Sequence, residues 1–182
     1  FAPEIMENKM SYALLASKEK KVFEKVSNLF SGTKLFLEYE KDVHSVAISA
    51  VLKNIYTIIF GMIESYGEKN NTRGFLASIA INEMREVMKI LKLNEKIIFS
   101  IAGIGDFIAT SGSEHSQNRK LGKEIFEKGY TTFKSEGFVS LSSLLKMLGK
   151  NSKKLPLLSL IERIVVGKKD AKKEIEKFLK EI

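Results

Sequence analysis

The sequence predicts a mainly α fold preceded by a small α/β piece, and three observations carry that expectation. Residues 10–40 alternate between apolar runs of strand length and one helical period. From about residue 42 onward the apolar spacing is helical throughout. The stretch 45–66, SVAISAVLKNIYTIIFGMIESY, is apolar nearly all round, which marks a helix inside a core rather than one lying on it.

The elements run in order along the chain. MSYALLAS (10–17) is a short apolar run that ends in a turn signal. In KEKKVFEKVSNLF (18–30), Val22, Val26, Leu29 and Phe30 share one helical face, and Ser31-Gly32 ends the helix. TKLFLEYE (33–40) alternates as a strand does. Two short strands and one helix are too little for an independent sheet, so residues 1–41 are expected to close a larger α/β unit whose other strands lie upstream. The helix at 45–66 is almost long enough to span a bilayer, but Lys53 and Asn54 at its middle make that costly, and no membrane span is expected. A second helix, 71–92, carries Leu76, Ile79, Ala80, Glu83, Met84, Val87 and Met88. Further helices are expected at 94–101, 106–111, 117–129, 136–149, 156–166 and 170–181, with Pro156 at a helix start.

Composition narrows the function. The chain has no cysteine, which excludes disulfides and thiolate metal sites. His44 and His115 are its only histidines and lack metal-ligand spacing, so no metal is expected and neither histidine takes a role. The formal charge is +8, yet only Arg73, Arg85, Arg119 and Arg163 among the 30 basic residues are arginines. Lysines interspersed with glutamates read as a solvated surface rather than a nucleic-acid face. Phe1-Ala2-Pro3-Glu4 carries neither region of a signal peptide, so a cytoplasmic protein is expected. The missing initiating Met reads as a fragment or a processed product.

Three places hold chemistry. Lys53, inside VLKNIYTIIF, must reach solvent along its stem or be held by polar partners, because an unpaired buried ammonium is expensive. Burial of a lysine also favours its neutral form, which is how lysines become general acids near neutral pH. Asp106 and Thr110, four residues apart, share a face on a helix, although an Asp after Gly103 and Gly105 also suits a helix cap. SGSEHSQNRK (111–120) leads into a helix; it is either a phosphate-binding loop or a polar loop with a serine cap.

Together these landmarks resemble the NAD(P)-dependent glycerol-3-phosphate dehydrogenases. FAPEI (1–5), VLKN (51–54), NNTRGFLASIAINEM (70–84), AGIGDFIAT (102–110), SQNRKLG (116–122) and SEGFVSL (135–141) follow that family's order and spacing. The resemblance implies that residues 1–41 end a Rossmann domain. Residues 42–182 would then form an all-helical substrate domain of the 6-phosphogluconate-dehydrogenase-like type. It implies NAD or NADP as cofactor and hydride exchange between dihydroxyacetone phosphate and sn-glycerol 3-phosphate. It also implies Lys53 and Asp106 as catalytic residues, Asn54, Thr110, Gln117, Asn118 and Arg119 as substrate-binding residues, and Glu136 as a cofactor-facing residue. A homodimer is compatible with the apolar helices.

The chain also departs from the family pattern. Gln117 stands where the family has an arginine, Ala47 where it usually has Glu, and Ile79-Ala80 where an Arg-Gly pair is common. No GxGxxG occurs, so this chain is expected to be inactive alone. The alternatives are a related two-domain reductase of another small keto substrate, or a non-catalytic helical interaction module.

Overall fold

The computed structural model describes residues 2–67 and 69–181; Phe1 of the FAPEI landmark lies outside them. The chain opens with a short helix, α1 (Ala2–Met6), then strand β1 (Ser11–Ala16), helix α2 (Lys20–Leu29) and strand β2 (Leu35–Glu40). The two strands pair in parallel from Ser11 opposite Leu35 to Ala16 opposite Glu40. Parallel pairing requires a crossover, and α2 supplies it.

Helix α3 (Val43–Tyr66) is the centre of the helical part. Asp42 caps it by accepting from the Ser45 amide at 3.0 Å, and Gly67 ends it in a left-handed turn at φ 95°. Its buried residues, among them Leu52, Ile55, Tyr56, Ile58, Ile59 and Met62, point to several sides of the axis. Full burial of each large aliphatic chain stabilises by roughly 1.5–3 kcal/mol. Length and apolarity would allow α3 to cross a membrane, but two thirds of its apolar window is buried within the protein, so it is a core helix.

Helices α4 (Asn70–Ile90), α5 (Asp106–Gly112), α6 (Gln117–Lys128) and α7 (Glu136–Leu148) pack around α3. Helices α8 (Pro156–Val165) and α9 (Ala171–Glu181) complete the layer. The contact of α6 with α3 is unusually close. A Cβ on Gly61 would overlap the Arg119 carbonyl, and one on Gly122 would overlap that of Ile58. Glu83, on the buried face of α4, caps α8 from outside. It accepts from the Leu157 amide at 2.6 Å and the Leu158 amide at 2.9 Å, donors that Pro156 at the helix start leaves facing it.

The expected helix at 94–101 is corrected. A 3₁₀ turn (Glu95–Phe99) and a π-helical turn (Ile101–Gly105) stand there instead. Ser100 is extended, and its hydroxyl bonds locally, donating to Ile97 O and accepting from the Ala102 amide, which competes with helix continuation. Gly103 then lies against the Ile98 backbone, where no Cβ fits.

Candidate active site

Lys53 and Asn54 are adjacent on α3, so about 100° separates their directions around the axis and they serve two different neighbours. Lys53 reaches α5, where its ammonium lies 2.9 Å from Asp106 Oδ2 and donates to Thr110 Oγ1 at 3.1 Å. Thr110 in turn donates to Asp106 Oδ1 at 3.1 Å, so the two α5 residues do share a face and close a triangle with the lysine. Asp106 does not cap α5. It is the first helical residue after the π turn, and its carboxylate is spent on Lys53 and Thr110.

The π turn aims Asp106, and Ser49, one turn before Lys53, donates to Ala102 O at 2.8 Å to hold that turn against α3. Phe107 packs edge-on against Phe60 at 5.4 Å and seats α5 on the same helix. Lys53 is 16% exposed at its side chain, so it is neither sealed off nor free in water.

Asn54 faces α7. Its amide nitrogen donates to Glu136 Oε2 at 2.8 Å, and its oxygen accepts from Asn118 Nδ2 at 2.9 Å. Asn118 Oδ1 accepts from the Gly137 amide at 2.9 Å, closing a chain that ties α3, α6 and α7 together. Gly137 is glycine because a Cβ there would lie 2.5 Å from Asn54 O and 2.8 Å from Asn118 Oδ1.

Two clefts meet this arrangement. The larger, of about 660 Å³, lies between β1 and the π turn; Tyr12, Leu14, Ala102 and Ala109 form apolar walls, with Lys53 and Asp106 also lining it. The smaller, of about 320 Å³, is lined by Thr110, Ser116, Gln117, Asn118, Lys134, Ser135 and Glu136. Lys53 and Asp106 thus border one cleft and Thr110 the other. An ammonium has three N–H donors; with one on Asp106 and one on Thr110, a third is available to a ligand oxygen.

Of the residues expected at the site, the structure brings Lys53, Asp106 and Thr110 into one cluster and Asn54, Asn118 and Glu136 into a second. Gln117 is exposed on the smaller cleft. Glu136, which the resemblance turns toward the cofactor, also lines this smaller cleft, not the one beside the strands. Arg119 joins neither cluster. It is 8% exposed, with Nε 2.7 Å from Glu64 Oε2 and Nη1 donating to Gly112 O at 3.2 Å, so its guanidinium is committed to the scaffold. The helical rotation between Asn118 and Arg119 turns them to different neighbours. Burial opposes ionisation of Glu64, but Lys123 and Arg119 together outweigh it and hold the carboxyl below its ordinary range.

Sequence reasoning missed Lys134, one lysine among many with no periodic or motif signal to separate it. It also missed Glu124, which fixes the turn before Lys134. That carboxylate accepts from Lys128 and the Thr132 amide at 2.9 Å each, and from the Thr131 and Thr132 hydroxyls. The Lys128 bond, followed by the Thr132 amide, pulls its pKa down to about 2.

Comparison with known proteins agrees with this architecture. Residues 42–176 match the family described as "NAD-dependent glycerol-3-phosphate dehydrogenase C-terminus". A glycerol-3-phosphate dehydrogenase (NAD(P)+) from Neorickettsia sennetsu is 31% identical over 144 residues, 79% of this chain and 43% of that protein. A chloroplastic NAD(+) relative from Arabidopsis thaliana is 27% identical over 172 residues, 91% of this chain and 41% of that protein. The crystal structure of glycerol-3-phosphate dehydrogenase from Coxiella burnetii superposes with a TM-score of 0.88 at 20% identity, covering 98% of this chain and 57% of that one; this likeness is one of fold. The chain spans about half the length of the relatives it matches. A match over residues 42–176, carried by a helical fold of the same arrangement, shows that this chain belongs to the family of NAD-dependent glycerol-3-phosphate dehydrogenases, of which it contains the C-terminal part.

Proposed function

We propose that this chain is the substrate side of a glycerol-3-phosphate dehydrogenase, interconverting dihydroxyacetone phosphate and sn-glycerol 3-phosphate. The division at residues 41 and 42, a Rossmann remnant and then the substrate domain, belongs to this proposal, as do a homodimeric assembly and a cytoplasmic location. The single observation that carries it is the Lys53–Asp106–Thr110 triangle beside two clefts.

Fit to the cofactor, NAD or NADP, is partial. The apolar walls of the larger cleft, with an ammonium at its border, suit a nicotinamide ring. The sequence has no glycine-rich loop for a pyrophosphate. When bound, the reduced nicotinamide supplies the hydride that C2 of the ketone receives.

The chain's own residues handle the proton. The open N–H of Lys53 is the donor for the C2 carbonyl oxygen and passes a proton to it as the oxygen gains charge, so carbon gains a hydride and oxygen a proton. In the reverse direction the neutral amine takes the proton from the C2 hydroxyl. Asp106 and Thr110 keep the ammonium aimed. The Asn54–Asn118–Glu136 chain fixes the wall between the clefts.

NADH oxidation with dihydroxyacetone phosphate by the full-length protein tests this. Lys53→Ala is expected to lower turnover by about 10²–10⁴-fold. A folded, NADH-binding protein without turnover would refute the assignment. Gln117, an amide where the family has an arginine, favours one second reading: a reductase of another small phosphorylated or carboxylated ketone, which a substrate panel separates from the first.

A further inference from the structure

We propose that Lys134, with Gln117 beside it, is the anchor for the substrate's phosphate, and that Lys134 supplies its positive charge. This rests on the reading of the substrate as a phosphate ester.

A phosphate held against water needs a cation or several donors, and most candidates near the site are already spent. Lys53 is paired with Asp106, and Arg119 and Lys123 both serve Glu64. In the smaller cleft Thr110 donates to Asp106, while the Ser116 and Ser135 oxygens accept from the Arg119 and Phe138 amides and keep their O–H groups as neutral donors, so what the cleft still needs is a positive charge. Asn118 is 5% exposed and bonded at both ends of its amide. Two lining side chains, Gln117 and Lys134, are exposed and make no hydrogen bond or ion pair among the described residues.

Among the described residues, Lys134 is therefore the one cation lining this cleft, and its charge has no internal partner there. Its backbone follows the turn that Glu124 pins through Thr131 and Thr132, so the stem starts from a fixed position. The Glu136 carboxylate on the same cleft accepts from Asn54, and it repels an anion from the α3 side toward Lys134. Gln117 adds an amide donor at the first position of α6.

Titration calorimetry on the 182-residue chain tests the anchor, with sn-glycerol 3-phosphate, inorganic phosphate and glycerol as probes. Lys134→Gln is expected to weaken binding of both anions about tenfold or more and to flatten its salt dependence, while Lys134→Arg retains it. Lys146→Gln, on the exposed face of α7, controls for net charge and leaves affinity unchanged. If the chain binds sn-glycerol 3-phosphate and Lys134→Gln binds it equally well, the anchor is refuted and the substrate assignment stands. If inorganic phosphate binds in a Lys134-dependent way but the ester does not, the anchor stands and the substrate assignment falls. Lack of affinity for either anion overturns both.

Discussion

Gly137→Ala is the substitution that most directly probes the junction of α3, α6 and α7. A methyl at this position would lie 2.5 Å from Asn54 O, 2.7 Å from Asn54 C and 2.8 Å from Asn118 Oδ1, against ordinary contact at 3.4 Å or more. The start of α7 must retreat by about 0.9 Å to restore contact with the carbonyl. That movement stretches the 2.9 Å bond from the Gly137 amide to Asn118 past hydrogen-bond range. Overpacking costs about 1–3 kcal/mol, and the orphaned buried partners about 1–3 kcal/mol more. Greater helix propensity returns at most about 1 kcal/mol. The net expectation is a loss centred on about 3 kcal/mol, which lowers Tm by roughly 6–12 °C for a chain of this size. Gly74→Ala is the control. It sits in α4 with nothing within 4 Å of its added methyl, so propensity acts alone and should stabilise by about 0.5–1 kcal/mol. Urea unfolding monitored by far-UV circular dichroism reads both. A Gly137→Ala midpoint at or above that of the wild type would refute the close-approach argument.

The same geometry makes outcomes at three further residues testable. Glu83→Ala should cost about 3–5 kcal/mol by urea unfolding, because it strips the Leu157 and Leu158 amides and the Tyr56 hydroxyl of their common acceptor in the core. Burial outweighs those bonds and raises the Glu83 pKa above 4.5, so the folded state binds the proton more tightly than the unfolded one. Its contribution is therefore greatest below pH 4.5 and is lost as pH rises through the folded value, a slope that Glu83→Gln should remove from a stability–pH profile. Glu124 has the opposite sign. Held at about 2, it contributes above pH 4.5 and loses that contribution as pH falls toward 2, so Glu124→Gln should flatten the acid limb of the same profile. Asp106→Asn in the full-length protein should lower kcat by about 10²-fold with a smaller change in KM, since it misplaces the Lys53 ammonium without removing it; an unchanged kcat would exclude a positioning role.

The sequence alone settled most of the architecture, because helical and strand periods are local properties of neighbouring residues. The all-round apolar run at 45–66 marked α3 as the core helix, and the four-residue spacing of Asp106 and Thr110 set them on one face. Lys53 inside an apolar helix required polar partners, and it has them. The turn at Ser100 escaped, because a serine hydroxyl that closes on its own backbone looks the same in sequence as one facing solvent. So did the cap that Glu83 places on α8, whose partners lie 74 and 75 residues away.

Tertiary structure decided which polar groups are spent and which are available. Arg119 and Asn118 are neighbours in one motif, yet packing of α6 on α3 commits the guanidinium to Glu64 and the amide to Asn54 and Gly137. Lys134 carries no signal among the chain's lysines until the turn after α6 brings it to the cleft without a partner among the described residues. Hydrogen-bond capacity is finite, and pairing is settled by which helices approach closely enough to touch; glycines at 61, 122 and 137 permit that approach, and their spacing in sequence does not say against what.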